Sequence, residues 1–212
     1  IFGQFAAFLG VCAPLGLWYP VRNYVKFDQA FGHVFTISTE SKLYCGNRTL
    51  TERFLSFPLD QLANPLYCQP YGDYNLWLYT VKCSVFGEFS FDRPQAFAAL
   101  LIVANFILIL VSLAAMIYVM LRCRETNKFA RYGLFWLWLT QMISFIVFNA
   151  GFPYGCTMDY RYIVPTAIVG ALYIGIALDH IKARRRAVGS AVFYVGVAAI
   201  ALFGVASALF YA

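Results

Sequence analysis

The residues best suited to chemistry stand in one short turn, Asp159-Tyr-Arg-Tyr162. The turn lies between two apolar segments, each near the ~20 residues that cross a bilayer, so its charges are expected at a membrane surface. Arginine keeps its charge and offers a planar fork of donors that suits phosphate oxygens, and flanking tyrosines can add hydroxyl donors. These residue types predict a lipid-phosphate site. The alternative is a plain ion pair between Asp159 and Arg161 that anchors a helix at the headgroups.

The composition favours a membrane protein. The chain is 61% hydrophobic, 19% aromatic and only 12% charged, which is unlike a soluble domain. We therefore expect an all-α polytopic fold with about five transmembrane helices. The first span, Ile1–Tyr19, begins without a methionine and is interpreted as a truncated helix. The others are predicted at Pro94–Leu121, Tyr132–Phe152, Ile163–Ile181 and Val188–Tyr211.

The spans divide the chain into three regions. These are a truncated helix over residues 1–19, a module over residues 20–93, and a four-helix transmembrane region over residues 94–212 with an outer turn at 152–162. The module is expected to be α+β or irregular, because Val34–Thr39 has the β-branched character of a short strand. Thr51–Phe57 predicts a brief amphipathic helix that ends before Pro58.

The charges predict the orientation. Residues 122–131 and 182–186 each carry four Lys or Arg, and short basic loops stay cytoplasmic. The module and the 152–162 turn are then extracytoplasmic. The module holds seven basic and seven acidic residues, so the net charge of +6 comes from the two basic linkers. Because topology accounts for the basic pI, nucleic acid is not an expected partner.

The cysteines fit an oxidising compartment. Cys45, Cys68, Cys83 and Cys156 all fall on the predicted outer side, where disulfides persist. A Cys45–Cys68 bridge with a Cys83–Cys156 bridge would pin the module over the Asp159 turn. One disulfide, or free thiols, is an equal alternative. No spacing of cysteines and histidines indicates zinc, so no metal site is expected.

Two further features of the module are candidates for binding. Tyr71, Tyr74 and Trp77 lie close together and form either an interfacial belt with a core or a surface for a sugar or a lipid. Glu88 stands just before the second span and either orients Arg161, accepts a proton or faces water. Gly87 permits a tight turn there.

The segment Tyr160-Arg-Tyr-Ile-Val-Pro165 resembles the R-Y-x-x-P element of the GT-C glycosyltransferases. The resemblance is to the family-39 type, similar to protein O-mannosyltransferases and the lipid A aminoarabinose transferase. Pro20–Asn23 and Tyr79–Phe89 also resemble pieces of bacterial members. Arg22 and Glu88 lie in those two segments and are expected as supporting residues. The resemblance covers this chain as a C-terminal portion of such an enzyme.

The resemblance implies an integral enzyme of a bacterial plasma membrane that transfers a sugar from a polyprenyl-phosphate donor to an extracytoplasmic glycan, lipid or protein. Arg161 would contact the donor phosphate, Tyr160 and Tyr162 would line its pocket, and Asp159 would orient the arginine. No cofactor is implied, since the lipid-linked sugar is a substrate.

The family places its catalytic acid in a first outer loop that has no counterpart here, so we expect no catalytic residue in this chain and interpret it as a fragment. The alternative function is a non-catalytic membrane protein whose outer module binds a lipid, a glycan or a partner protein. A transporter is disfavoured because the spans hold few polar residues.

Overall fold

The computed structural model describes residues 2–28, 36–58, 73–87, 94–184 and 186–212. It forms two compact units, Ile1–Ser38 and Thr39–Ala212. The described part holds these α-helices: α1 (Phe2–Phe27), α2 (Leu50–Phe54), α3 (Leu76–Phe86), α4 (Gln95–Arg122), α5 (Leu134–Gly151), α6 (Pro165–Arg184) and α7 (Arg186–Tyr211). A π-helical turn, Phe129–Gly133, leads into α5, and two 3₁₀ turns, Gly155–Met158 and Tyr160–Tyr162, connect α5 to α6.

Among the described residues, five helices are long and apolar enough to cross a membrane, which confirms the predicted polytopic helical class and indicates an integral membrane protein. Their bounds are Phe2–Phe27, Gln95–Arg122, Phe129–Gly151, Pro165–Arg184 and Gly189–Tyr211. Their ends differ from the predicted ones by a few residues, except in the first helix.

The first helix is longer than predicted. It does not stop at Tyr19 but runs through Pro20 to Phe27. A proline removes one backbone hydrogen bond, which weakens a helix at that point without forcing it to end. The end comes at Asp28, whose φ of 56° is left-handed. Asp is one of the residues that tolerate this conformation.

The expected α+β character of residues 20–93 is not supported. Beyond α1, the described part of this range forms two helices, α2 and α3, and no strand. Its one extended contact is an isolated antiparallel bridge between Tyr44 and Tyr154. The predicted strand Val34–Thr39 lies partly outside the described residues, and residues 36–38 have no regular structure. A single bridge leaves most backbone N–H and C=O groups of a strand unpaired. In α2 and α3 these groups instead form hydrogen bonds within the helix.

Local signals start and end the two short helices. Thr49 and Glu52 form a reciprocal capping box at α2, which confirms the short helix predicted before Pro58. Asn75 caps α3 through a bond from the Leu78 N–H to its Oδ1, 3.1 Å. At the other end of α3, Gly87 adopts φ 63°, as expected for a glycine turn.

In the described part of the second unit, buried apolar side chains form three clusters. The first joins α3, α5 and the α5–α6 connection through Cys45, Leu76, Tyr79, Cys83, Phe145, Met158 and Ile163. The second joins α4 and α6 through Ala115, Met116, Val119, Cys123, Val169, Tyr173 and Ala177. The third joins α3, α4 and α7 through Phe86, Ala98, Leu101, Ile102 and Phe210. We call residues 39–58, 73–87 and 152–163 the loop module, and α4 to α7 the helix bundle.

Candidate phosphate-binding turn

Asp159 and Arg161 form an ion pair, the contact that the alternative interpretation of the turn predicts. Asp159 lies between the two 3₁₀ turns, and its Oδ1 accepts from the Arg161 backbone N–H at 2.9 Å. Its Oδ2 lies 3.1 Å from Arg161 Nε. The carboxylate side chain is 9% exposed and the arginine side chain 59%. A buried acid thus caps the second turn and orients an exposed guanidinium.

Cys83 supports that carboxylate from α3. Its Sγ donates to Asp159 Oδ1 at 3.2 Å, so Cys83 carries a free thiol. The suggested Cys83–Cys156 bridge is therefore absent, because the Cys83 side chain is directed into the module core toward Asp159. No sequence pattern marks this contact, since the two residues lie 76 positions apart.

Cys45, from the other suggested pairing, carries no disulfide either. Cys45 is a buried free thiol whose Sγ lies 3.8 Å from the carbonyl oxygens of Leu43 and Asp73. Its suggested partner Cys68 lies outside the described residues. The loop module is therefore held by packing and hydrogen bonds at these two positions.

The tyrosines beside Arg161 have different surroundings. Tyr160 packs against the first cluster, and burial raises the pKa of its hydroxyl. Tyr162 is 45% exposed, and its ring centroid lies 5.4 Å from Arg161 Cζ. The Phe148 ring packs against Tyr162 at 5.8 Å. Tyr162 therefore shields one face of the guanidinium, as cation–π geometry requires, while Tyr160 anchors the turn to the core.

A buried arginine that the sequence analysis missed braces the turn. Arg53 of α2 is 4% exposed and donates from its guanidinium to the Asn149 carbonyl at the end of α5. Asn149 Oδ1 in turn accepts from Thr157 Oγ1 at 2.9 Å. Burial lowers the pKa of Arg53. The cation sits where a helix C-terminus favours positive charge, so it links α2, α5 and the first 3₁₀ turn.

A buried ion pair lies in the same module. Lys82 Nζ of α3 donates to Asp73 Oδ2 at 2.9 Å, with side chains 2% and 8% exposed. A lysine inside an otherwise apolar helix was the signal that could have revealed it, because a lysine is almost never fully buried without a partner.

The remaining predicted residues separate into three groups. Glu88 and Tyr71 lie outside the described residues, and Arg22 is exposed on α1 in the first unit. Tyr74 lies under the Arg48 guanidinium, with Cζ 4.6 Å from the ring centroid. Trp77 Nε1 donates to the Phe54 carbonyl at 2.7 Å, which commits that indole to packing within the module.

Within the described ranges, no group of three or more His, Cys, Asp or Glu side chains is arranged to hold a metal ion. At the turn, the Arg161 side chain is 59% exposed and its Nε contacts the buried Asp159 carboxylate. Comparison with known proteins gave no match: no family model, no curated protein and no solved structure is similar to this chain.

Proposed function

We propose that this chain is the donor-binding portion of an integral membrane glycosyltransferase, which takes a sugar from a polyprenyl-phosphate donor. The observation that carries the proposal is the Arg161 guanidinium, 59% exposed and held through Nε by a buried carboxylate just before α6. An arginine oriented in this way presents its planar fork to phosphate oxygens without first having to be ordered.

Arg161 would act on the leaving group. Transfer breaks the bond between the anomeric carbon and the phosphate oxygen, and negative charge gathers on the departing polyprenyl phosphate. A fixed cation at that position stabilises the charge as it develops. Asp159 positions the arginine, and the Tyr162 ring limits water on one side of it.

The base that deprotonates the acceptor hydroxyl would come from outside this chain. Three carboxylates of the loop module are already engaged. Asp73 pairs with Lys82, Asp159 pairs with Arg161, and Glu52 caps α2 through Thr49. The proposal places the loop module, which includes the 152–162 turn, on the extracytoplasmic side of a bacterial plasma membrane. The basic linkers favour this side.

The test measures phosphate binding and transfer separately. Arg161→Ala in the intact protein is expected to weaken crosslinking of a photoactivatable polyprenyl phosphate by at least tenfold and to lower transfer by orders of magnitude. Arg161→Lys should restore part of the crosslinking, since it keeps the charge but loses the fork. Arg124→Ala, an exposed cation in the 122–131 linker, is the matched control. Unchanged crosslinking by a folded Arg161→Ala protein would contradict the proposal.

A second candidate function is a non-catalytic membrane protein that binds a lipid phosphate, a role that the Asp159–Arg161 pair would serve without a base. It makes a different prediction. Crosslinking would still depend on Arg161, but the intact protein would transfer no sugar from any lipid-linked donor offered.

A further inference from the structure

The unbalanced charge of the chain lies at one end of the helix bundle. Residues 122–131 and 182–186 hold eight Lys or Arg, and the acidic residues beside them are Glu125 and Asp179. The rest of the chain carries eight basic and eight acidic residues, which cancel. The whole net charge of +6 therefore belongs to this end.

The structure brings the two basic linkers together. Near the end of α4, the Tyr118 hydroxyl lies 3.0 Å from Nδ1 of His180 in α6. The Tyr173 hydroxyl of α6 donates to the Arg131 carbonyl of the π-helical turn at 2.8 Å, and Cys123 is buried beside α6 in the second cluster. Both linkers thus contribute to one surface, which we call the basic end. Its described cations are Arg122, Arg124, Lys128, Arg131, Lys182 and Arg184.

Contacts with neighbouring helices hold two of these cations. The Arg131 guanidinium donates to the Met120 carbonyl in α4 and lies over the Tyr132 ring, with Cζ 4.9 Å from the ring centroid. Lys182 Nζ lies 5.6 Å from the centroid of the Phe193 ring in α7. These contacts tie the start of α5 to α4, and α7 to α6, so the linkers have a defined position.

The other described cations receive no counter-charge from the protein. These exposed side chains form no ion pair within the described ranges: Arg122, Arg124, Lys128 and Arg184. The two acidic side chains of the basic end are also exposed and make no ion pair there. Positive charge that the protein leaves unpaired at its surface attracts an anionic partner over a long range.

The basic end borders the apolar surface that faces lipid. Leu121, Phe129 and Trp136 are large exposed apolar side chains close in sequence to the cations, and the Phe129 side chain is 75% exposed. In membrane proteins, Lys and Arg flank the spans, and Trp and Tyr concentrate at the membrane–water interface. The cations therefore stand at the height of phospholipid headgroups, which favours a lipid over a soluble acidic partner.

We infer that the basic end binds the headgroups of anionic phospholipids in the leaflet that it faces. A cluster of Lys and Arg beside a transmembrane helix attracts acidic lipids electrostatically and needs no shaped pocket. Because several cations share this attraction, the loss of one has a small effect. The 20 residues of α6 separate the basic end from Arg161 by roughly 30 Å, so the inference does not rest on the proposed function.

Electron paramagnetic resonance of spin-labelled lipids tests the inference. The full chain is reconstituted in phosphatidylcholine vesicles with a trace of spin-labelled phosphatidylglycerol or spin-labelled phosphatidylcholine, and the fraction of label immobilised by the protein is measured. At low salt we expect the protein to prefer phosphatidylglycerol by about threefold. The preference should nearly disappear at about 1 M salt, where the screening length is about 3 Å.

Equal association of the two lipids at low salt would overturn the inference, and the cations would then serve only as a signal for orientation. A preference that salt does not reduce would overturn it as well, because the attraction would not be electrostatic.

Variants locate the surface. The combined substitutions Arg122→Gln, Arg124→Gln and Lys128→Gln should remove at least about half of the preference, since they halve the net charge of the basic end. The matched control, Arg122→Lys with Arg124→Lys and Lys128→Arg, preserves the charge and should preserve the preference. Arg131 and the four cations of residues 182–186 remain in both variants, so the charge that sets the orientation is kept.

A second control concerns the opposite end of α6. Arg161→Gln removes one exposed cation from the phosphate-binding turn and should leave the preference for phosphatidylglycerol unchanged. A preference that survives the three glutamine substitutions, or that disappears with Arg161→Gln, would show that the lipid binds elsewhere and would refute the assignment to the basic end.

Discussion

The loop module buries charged and polar side chains, whereas the facing helices of the bundle bury almost none. Among the described residues of the module, the buried polar side chains are Arg53, Asp73, Asn75, Thr80, Lys82, Thr157 and Asp159. In α4 to α7 the described residues include one, Asn149, which lies at the end of α5 that contacts the module.

Small residues allow α4 and α6 of the bundle to approach closely. Beside the second cluster, Gly170 of α6 lies against Ser112 of α4, and a Cβ at Gly170 would stand 2.9 Å from the Ser112 Cβ. Ala115 and Ala177 are buried in the same contact. Small residues let two helix backbones approach and gain dispersion energy where no hydrophobic force acts between them in lipid.

The difference follows from helix length and surroundings. α2 has five residues and α3 eleven, too few to be stable alone, so directional bonds must order them. The long helices form all their backbone hydrogen bonds internally, and a charged side chain buried in lipid would destabilise them. Packing therefore suffices in the bundle, and polar contacts are required in the module.

The largest effect is expected from the buried ion pair. Lys82→Met should lower the free energy of unfolding by about 3–5 kcal/mol, because it removes the ammonium from a buried carboxylate. Denaturant titration, monitored by tryptophan fluorescence, measures this free energy of unfolding. Lys128→Met, at an exposed linker position, should change the same quantity by less than about 0.5 kcal/mol. Equal effects of the two substitutions would show that the module does not depend on its buried charges.

A smaller effect is expected from overpacking the bundle. Gly170→Val should cost about 1–3 kcal/mol, since the added methyls collide with Ser112 and force α4 and α6 apart. Gly175→Val is the matched control on the same helix, because nothing lies within 4 Å of a Cβ at that position. The thermal midpoints of the two variants, measured in the same detergent, give the comparison. A Gly175 variant as unstable as the Gly170 variant would assign the cost to helix propensity.

The smallest effect is expected at the exposed cap of α2 and should depend on pH. Hydrogen bonds from the Thr49 backbone N–H and side chain lower the pKa of Glu52 below its ordinary value of 4.5. A lowered folded-state pKa means that the stabilisation is complete above the unfolded pKa and is lost as pH falls through the folded one. Glu52→Gln should therefore lower the thermal midpoint at about pH 7 but not at about pH 2.

The matched control for that substitution is Glu125→Gln. Glu125 is an exposed glutamate of the 122–131 linker that makes no ion pair within the described ranges. The Glu125→Gln substitution should leave the thermal midpoint unchanged at both pH values. A pH-independent effect of Glu52→Gln would mean that the carboxylate charge plays no part in capping α2.

Much of the fold is determined by the sequence alone. Five apolar segments of sufficient length indicate five spans, because the bilayer thickness sets a length that few soluble helices combine with such hydropathy. The α2 cap, the turn at Gly87 and the pairing of Asp159 with Arg161 are also local, since each joins residues at most a few positions apart. The predicted helix end at Tyr19 was wrong because a proline weakens a helix without necessarily ending it.

Only the tertiary structure decided what surrounds the turn. Cys83 bonds to Asp159 across 76 positions, although the sequence suggested that Cys83 forms a disulfide instead. Arg53 bonds to Asn149 across 96 positions, and no sequence pattern indicated this contact. Such contacts depend on which face each helix directs inward and on how the connections return the chain. No local pattern encodes those directions, because they are set by packing the whole module at once.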